Sequence, residues 1–114
     1  MGQTWGSVYL DEALSTPVCQ ANILRYSWAD DAARGNRSRI LFSSPTGSGR
    51  THLTVRMSYD EGRTWPVSRL VYAGGSAYSN MVVLPDYRIG VLYEKDGYRS
   101  IALATFSKAW LEGK

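Results

Sequence analysis

The sequence predicts an all-β fold built from short antiparallel strands. Segments rich in Val, Ile, Leu, Tyr and Thr recur along the 114 residues, and stretches containing Gly, Pro, Asn or Asp separate them. These connections are too short to hold crossover helices, so consecutive strands are expected to pair antiparallel. The composition, 44% hydrophobic and 20% charged, fits one small globular unit rather than a disordered or membrane protein.

The strand candidates follow in chain order, each bounded by turn residues. An early candidate covers residues 7–10, and the others cover residues 22–28, 38–44, 52–58, 68–72, 80–84, 89–94 and 100–106. Only residues 107–112, SKAWLE, have helical composition, with Ser107 as a candidate N-cap. A short C-terminal helix is therefore expected after the last strand.

A repeated Thr-Trp motif indicates repeated four-stranded units. Thr4-Trp5 leads into GSVYL, and Thr64-Trp65 leads into PVSRLVY sixty positions later. Four-stranded repeats of this size are typical of β-propeller blades. From Asn22 onward, four strands would form one complete antiparallel blade and the last three would begin a second. Residues 7–10 would be the edge strand of a preceding blade, so we expect a partial β-propeller.

Charge and cysteine content exclude several classes of function. The 13 basic and 10 acidic residues give a net charge of +3 and are spread along the chain, so no nucleic-acid partner is expected. Cys19 is the only cysteine and is expected to be a buried thiol, and His52 is the only histidine, so neither a metal site nor a cofactor is predicted. No apolar run approaches the roughly 20 residues of a membrane span, and the cellular compartment stays open.

Two polar clusters are interpreted as ordinary surface. Asp30 and Asp31 lie in a loop without the further spaced oxygens of a calcium site. The nearby arginines are interpreted as a solvated face rather than an anion site: Arg34, Arg37 and Arg39.

The stretch SYDEGRTW at residues 58–65 resembles the Asp-box motif, S-x-D-x-G-x-T-W. Every specified position is filled: Ser58, Asp60, Gly62, Thr64 and Trp65. The spacing suits a hairpin turn in which Asp60 accepts hydrogen bonds from turn amides, Gly62 takes a positive φ and Trp65 folds back over the hairpin. A role for Asp60 as a catalytic acid is the alternative, but the turn uses its carboxylate. The motif is therefore predicted to be structural.

Residues 19–112 resemble the C-terminal part of the exo-α-sialidases (neuraminidases), glycosidases that release terminal sialic acid from glycoconjugates. The shared features are an arginine before the strand leading into the box, a Tyr-Ser pair after AGGSA, an L-P-D turn, an L-Y-E strand end and a closing F-S-x-x-W-L. The resemblance implies that residues 1–114 are a C-terminal fragment, about one third, of a six-bladed sialidase-type propeller domain with Asp-box (BNR) repeats.

The resemblance also implies a role for three residues. Arg50 matches the last arginine of a triad that binds the sialic acid carboxylate, for which a planar guanidinium fork is suited. Tyr78 matches the nucleophile of a retaining mechanism. A neutral phenol avoids the repulsion that a carboxylate would meet beside the carboxylate of sialic acid, but it needs a base to react near pH 7. Glu94 matches the glutamate that orients the first arginine of the triad.

Other arginines and tyrosines of this region are predicted to have structural or surface roles. Arg56 is the alternative candidate for the carboxylate-binding arginine. Strand alternation from Arg50 instead predicts a structural or surface position for it. Asn80 departs from an aspartate that some relatives carry after Tyr-Ser. The remaining tyrosines of this region are expected to pack or lie on the rim: Tyr72, Tyr87, Tyr93 and Tyr98.

The other members of the family's catalytic set have no match in this sequence. The acid/base aspartate, the glutamate partner of the tyrosine and two arginines would come from upstream blades, which are the expected partners of the chain. Sialylated glycans are the expected substrates, and the chain alone is expected neither to hydrolyse them nor to close a propeller. The alternatives are a non-catalytic Asp-box repeat module that binds glycan or protein, and a degenerate fragment without an independent role.

Overall fold

The computed structural model describes residues 2–114, which form six antiparallel strands and one short helix. This confirms the predicted all-β class. The strands are β1 (Asn22–Ser27), β2 (Arg39–Pro45), β3 (Thr51–Ser58), β4 (Val67–Val83), β5 (Ile89–Lys95) and β6 (Ser100–Phe106), and the helix is α1 (Lys108–Leu111). Two single 3-10 turns, Glu12–Leu14 and Ala32–Arg34, lie in the connecting segments. With a helix of four residues, the described chain contains no helix that could cross a bilayer.

The six strands form one continuous sheet in chain order, and the sheet curls back on itself. Each strand pairs antiparallel with the next. Contacts between distant strands show the curl: the hydroxyls of Ser43 in β2 and Ser79 in β4 lie 2.7 Å apart. The Tyr26 hydroxyl of β1 donates to the carbonyl oxygen of Tyr87, 2.8 Å away, before β5. The first strands therefore face the last ones across an interior.

Strand alternation builds the core inside the curl. In β3, Leu53, Val55 and Met57 point inward and are fully buried. Side chains from the other strands and from α1 complete the apolar cluster: Tyr26, Leu41, Met81, Ile89, Val91, Tyr93, Phe106 and Leu111. The opposite face of β5 and β6 stays exposed although it carries Leu92, Ile101 and Leu103.

Strand β4 differs from the prediction because one strand of 17 residues replaces the two expected at residues 68–72 and 80–84. The stretch AGGSA between them was expected to turn, yet the chain continues extended through it. The close packing at this point of β4 requires glycine. A side chain at Gly74 would clash with the Tyr72 ring, and a side chain at Gly75 would press against the backbone of Asp96. The predicted four-stranded and three-stranded units are joined through β4, because its residues up to Gly75 pair with β3 and its residues from Ser76 pair with β5.

The edge strand expected at residues 7–10 is not formed. These residues have no regular secondary structure, and Val8 and Leu10 are more than nine-tenths exposed. A strand needs a partner for its amides and carbonyls, and no neighbouring strand lies beside this segment in residues 2–114.

The helix begins as predicted, and it is anchored by an arginine that was predicted to be solvated. The Ser107 side chain accepts a hydrogen bond from the Trp110 amide at 3.0 Å, which confirms the N-cap. The side chains of Arg39 and Glu112 are only 6% and 4% exposed and form an ion pair, with Nε and Oε2 3.4 Å apart. Arg39 is buried because Glu112, 73 positions away, supplies the countercharge. The solvated-face interpretation is therefore wrong for Arg39.

Candidate functional site

The candidate site lies where β4 changes its pairing partner. Up to Gly75 the strand pairs with β3, and from Ser76 it pairs with β5. Ser76 lies opposite Lys95 and Ser79 opposite Tyr93, so the two residues between them on β4 face one residue on β5. This bulge interrupts the alternation of side chains. Ala77 stays buried, whereas the Tyr78 side chain turns outward and is 51% exposed.

Glu94 stabilises the bulge. Its Oε1 accepts a hydrogen bond from the Tyr78 amide at 3.0 Å. A bulge leaves a backbone amide without a ladder partner, and an unpaired amide is costly. The carboxylate supplies the missing acceptor. Among the ion pairs of the described residues, none joins Glu94 to an arginine.

Arg50 lies beside Tyr78 and immediately precedes β3. Its guanidinium carbon is 5.7 Å from the centre of the Tyr78 ring, and both side chains are exposed. The Arg50 carbonyl accepts a hydrogen bond from the Ser76 amide at 2.9 Å, which ties the end of the β2–β3 loop to β4. Two residues 28 positions apart in the sequence therefore meet because β3 and β4 pair.

The Arg50 guanidinium is held by two oxygen atoms. Its Nη1 donates to the Tyr98 hydroxyl at 2.7 Å. Its Nε and Nη2 both donate to the carbonyl oxygen of Val18, at 3.1 and 2.7 Å. The hydrogen bond with Tyr98 raises the pKa of Arg50, and a guanidinium is positively charged at physiological pH in any case.

Tyr98 was expected to pack or lie on the rim, and its contact with Arg50 was missed. It reaches Arg50 because the turn between β5 and β6 folds closely over Gly75: the Asp96 amide donates to the Gly75 carbonyl at 2.9 Å. A Cβ at Gly75 would lie 3.3 Å from the Asp96 Cα, so only glycine fits without displacement. The sequence KDGYR indicates a turn, but no local signal shows which strand the turn covers.

Two cavities flank the Arg50–Tyr78 pair. A groove of about 360 Å³ is lined by Tyr78, Asn80, Leu92, Glu94 and Ile101 among others, so it is largely apolar. A smaller cavity of about 80 Å³ is lined by Arg50, Ser76, Glu94 and Tyr98 among others. The buried Ser76 hydroxyl has no hydrogen-bond partner in the described chain. The guanidinium of Arg50 and the Ser76 hydroxyl line the smaller cavity, which suits an anionic ligand.

The other candidate residues lie outside this cluster or at its margin. Cys19 is half-buried, and burial raises the pKa of its thiol despite the nearby charge of Arg50. Arg56 is half-buried in β3, where burial lowers its pKa. Tyr93 is 6% exposed and packs against Tyr72, whose hydroxyl donates to Asp96.

The turn at residues 58–65 is closed by the side chain of Asp60. Its carboxylate accepts hydrogen bonds from the Thr64 amide at 2.8 Å, the Thr64 hydroxyl at 2.6 Å and the Ser58 hydroxyl at 2.8 Å. The bonds from Thr64 are the main cause that lowers the pKa of Asp60 to about 2. Gly62 has φ +88°, and the Trp65 ring lies 3.8 Å from the position of a Cβ at Gly62. Asp60 is thus ionised and fully engaged within the turn.

This turn and the Arg50–Tyr78 pair lie at opposite ends of β3. The strand has eight residues, which at about 3.3 Å per residue separates its ends by roughly 25 Å. Asp60 is therefore too far away to act on a ligand that contacts Arg50.

Comparison with known proteins relates the chain, over nearly its whole length, to one family. No protein-family model matches the chain. The chain is 39% identical over 114 residues to a sialidase of Micromonospora viridifaciens, a match that covers 98% of this chain and 17% of the relative. It is 32% identical over 124 residues to an exo-alpha-sialidase of Aspergillus fumigatus, covering 94% of this chain and 29% of that relative. The chain belongs to the sialidase family.

The sialidase relationship extends to the fold. The intramolecular trans-sialidase of Ruminococcus gnavus, solved in complex with oseltamivir carboxylate, superposes with a TM-score of 0.74 at 23% identity. The match covers 96% of this chain and 27% of that structure. The chain thus spans a small part, between 13% and 29%, of the sialidases that it matches in sequence.

Proposed function

We propose that this chain is the C-terminal part of the propeller domain of an exo-α-sialidase. In this proposal Arg50 binds the carboxylate of sialic acid and Tyr78 is the nucleophile. The observation that carries it is the distance of 5.7 Å between the Arg50 guanidinium carbon and the centre of the exposed Tyr78 ring. One ligand can touch both groups, because a sialic acid carries its carboxylate on the carbon that reacts.

The reaction that these groups suit is retaining hydrolysis. Arg50 offers two parallel N–H donors to the carboxylate and holds the sugar in place. The Tyr78 oxygen forms a bond to the anomeric carbon as the bond to the aglycone oxygen breaks, and that oxygen receives a proton from an acid. Water then attacks the tyrosyl-sialoside, the bond to Tyr78 breaks and sialic acid is released with its configuration retained.

The groups that complete this chemistry are proposed to lie in the rest of the domain. Tyr78 needs a base to lose its proton near pH 7, and Glu94 is engaged by the Tyr78 amide rather than by its phenol. In our proposal Glu94 also receives the first arginine of the triad on its remaining oxygen. The small share of its relatives that the chain spans supports this division.

The sheet itself supports the assignment to a propeller. In our proposal β1 to β3 and the first half of β4 are one blade, with the Asp-box turn between its third and fourth strands. The second half of β4, β5 and β6 are three strands of the next blade. Their outer face exposes Leu92, Ile101 and Leu103. A contiguous apolar face of this kind indicates a packing surface, and we assign it to a neighbouring blade.

A chimera tests the proposal. The matching stretch of the Micromonospora viridifaciens sialidase is replaced by this chain, and turnover of a fluorogenic sialoside is measured. We expect an active enzyme in which Tyr78→Phe lowers kcat by at least about a hundredfold, because the nucleophile is lost. Arg50→Lys should raise KM because an ammonium cannot form the two parallel bonds.

Matched controls separate these effects from general damage. Tyr9→Phe changes an exposed tyrosine in an unpaired segment, and Arg99→Lys changes an exposed arginine in the β5–β6 turn. Both should leave kcat and KM unchanged. A chimera that is folded by circular dichroism but inactive would favour a non-catalytic Asp-box module instead. Full activity of Tyr78→Phe would contradict the proposed nucleophile.

A further inference from the structure

We propose that Tyr98 is a positioning residue for Arg50: its hydroxyl fixes the guanidinium so that the Nε/Nη2 edge faces the substrate carboxylate. This inference rests on the proposed function for the identity of the ligand. The contact itself, 2.7 Å between Arg50 Nη1 and the Tyr98 oxygen, does not depend on that function.

The geometry of the guanidinium leads to this assignment. A guanidinium can present two parallel N–H groups to a carboxylate along either of two edges, Nη1/Nη2 or Nε/Nη2. Tyr98 engages Nη1, which leaves the Nε/Nη2 edge for an incoming ligand. A long, exposed arginine side chain would otherwise sample many rotamers, and ordering it at the moment of binding costs free energy.

The remaining edge already binds an oxygen acceptor. The carbonyl oxygen of Val18 receives hydrogen bonds from both Nε and Nη2 of Arg50. Val18 lies in an irregular segment, and its side chain is 94% exposed. A carboxylate carries a full negative charge and two oxygens, so it is a stronger acceptor for this edge than one carbonyl. Substrate binding would therefore replace the Val18 carbonyl while Tyr98 keeps its own bond.

Tyr98 is held rigidly enough to act in this way. The turn that carries it is unusual, because Asp96, Gly97 and Tyr98 all have left-handed backbone conformations, with φ of 54°, 64° and 68°. Asp96 anchors the turn twice, through its amide to Gly75 and through its carboxylate to the Tyr72 hydroxyl at 2.6 Å. The hydroxyl that contacts Arg50 thus comes from a turn fixed on β4.

The first measurement tests the positioning without any ligand. In the ¹⁵N-labelled 114-residue chain, the Nε–Hε resonance of Arg50 is identified by its loss in Arg50→Lys, and its heteronuclear NOE reports ordering of the side chain. We expect Tyr98→Phe to lower this NOE toward that of the exposed Arg99. Tyr87→Phe is the control, because Tyr87 is also exposed and has φ 66°. An unchanged NOE in Tyr98→Phe would overturn the proposal.

The second measurement tests the consequence for binding. In the active chimera, Tyr98→Phe should weaken inhibition by free N-acetylneuraminic acid about tenfold, the effect of one hydrogen bond to a charged group. The kcat should change less than about twofold, because the reacting atoms are not touched. Weaker inhibition with an unchanged Arg50 NOE would mean direct contact with the ligand and would overturn the positioning role.

The two proposals fail in different ways. If the folded chimera with the natural residues shows no hydrolysis, the proposed function is contradicted, and the NOE of Arg50 alone decides the role of Tyr98. If the chimera is active but Tyr98→Phe leaves both the NOE and the inhibition constant unchanged, the sialidase assignment stands and the positioning role is refuted.

Discussion

Replacing Glu112 by glutamine should destabilise the chain strongly, because this carboxylate neutralises a buried arginine. Glu112 is 4% exposed and Arg39 6% exposed at the side chain, and the Tyr59 hydroxyl donates to the same carboxylate oxygen. Removing one member of a buried ion pair typically costs 3–5 kcal/mol. Arg39 keeps an acceptor in the carbonyl of Arg34, 2.8 Å from Nη1. We therefore expect the low end of that range, about 3 kcal/mol.

The assay is urea unfolding followed by tryptophan fluorescence, supported by thermal melting. For a chain of 114 residues, a loss of about 3 kcal/mol lowers Tm by about 12 °C. Glu12→Gln is the matched control, because Glu12 is exposed, and its effect should stay within about 0.5 kcal/mol. Combining Glu112→Gln with Arg39→Met should cost less than the sum of the single changes. A loss below about 1 kcal/mol in Glu112→Gln would show instead that the buried arginine tolerates the loss of its countercharge.

Three further predictions concern activity, pH dependence and solubility. The purified 114-residue chain should not turn over a fluorogenic sialoside, and measurable hydrolysis would contradict the assignment of the remaining groups to other blades. Asp60→Asn should lower Tm at pH 7 while the exposed control Asp30→Asn does not. Since the folded pKa of Asp60 is about 2 and its ordinary value about 3.9, the difference from the natural chain should vanish as pH falls from about 4 to 2, and a pH-independent difference would refute this. The free edge of β6 and the apolar face beside it should make the chain self-associate in light scattering, less so in Leu103→Lys; a monodisperse natural chain at high concentration would count against this.

Burial of Tyr59 makes the free energy of unfolding fall at high pH, whereas Asp60 makes it fall at low pH. Burial and the hydrogen bond to Glu112 raise the pKa of Tyr59 to about 12. The protonated Tyr59 hydroxyl therefore stabilises the fold below the ordinary tyrosine pKa of about 10, and this stabilisation is lost as pH rises toward 12. Absorbance at 295 nm should show a tyrosine ionising near pH 12, and that step should disappear in Tyr59→Phe. Its persistence there would assign the step to another tyrosine.

The sequence was sufficient where the structure depends on local rules. The composition of residues 52–58 predicts β3, and strand alternation explains why Leu53, Val55 and Met57 are its buried side chains. The side-chain chemistry of Ser107 likewise predicts the start of α1.

Long-range pairing explains most of what could not be predicted. The burial of Arg39 depends on Glu112 at the far end of the chain, and no pattern around Arg39 reveals that partner. The unbroken course of β4 depends on the turn at Asp96 packing over Gly75, whereas glycine and serine by themselves favour a break. The contact of Tyr98 with Arg50 follows from the same packing.

The residues of the candidate site were predicted from different evidence than the strands were. Family resemblance, rather than spacing or periodicity, singled out Arg50, Tyr78 and Glu94. The resemblance did not predict two features of the site. One is the bulge that turns Tyr78 outward, and the other is the hydrogen bond from the Tyr78 amide to Glu94 that stabilises the bulge. Both are backbone features of the pairing between β4 and β5, so they become visible only once the register of the strands is known.

Trapping of the covalent intermediate would show whether Tyr78 is the nucleophile. The active chimera is treated with a 3-fluorosialosyl fluoride, which forms the glycosyl-enzyme quickly but hydrolyses slowly, and the labelled peptide is sequenced by mass spectrometry. We predict a single sialosyl adduct on the oxygen of Tyr78, formed much more slowly in Arg50→Lys. An adduct on a carboxylate or on another tyrosine would contradict it.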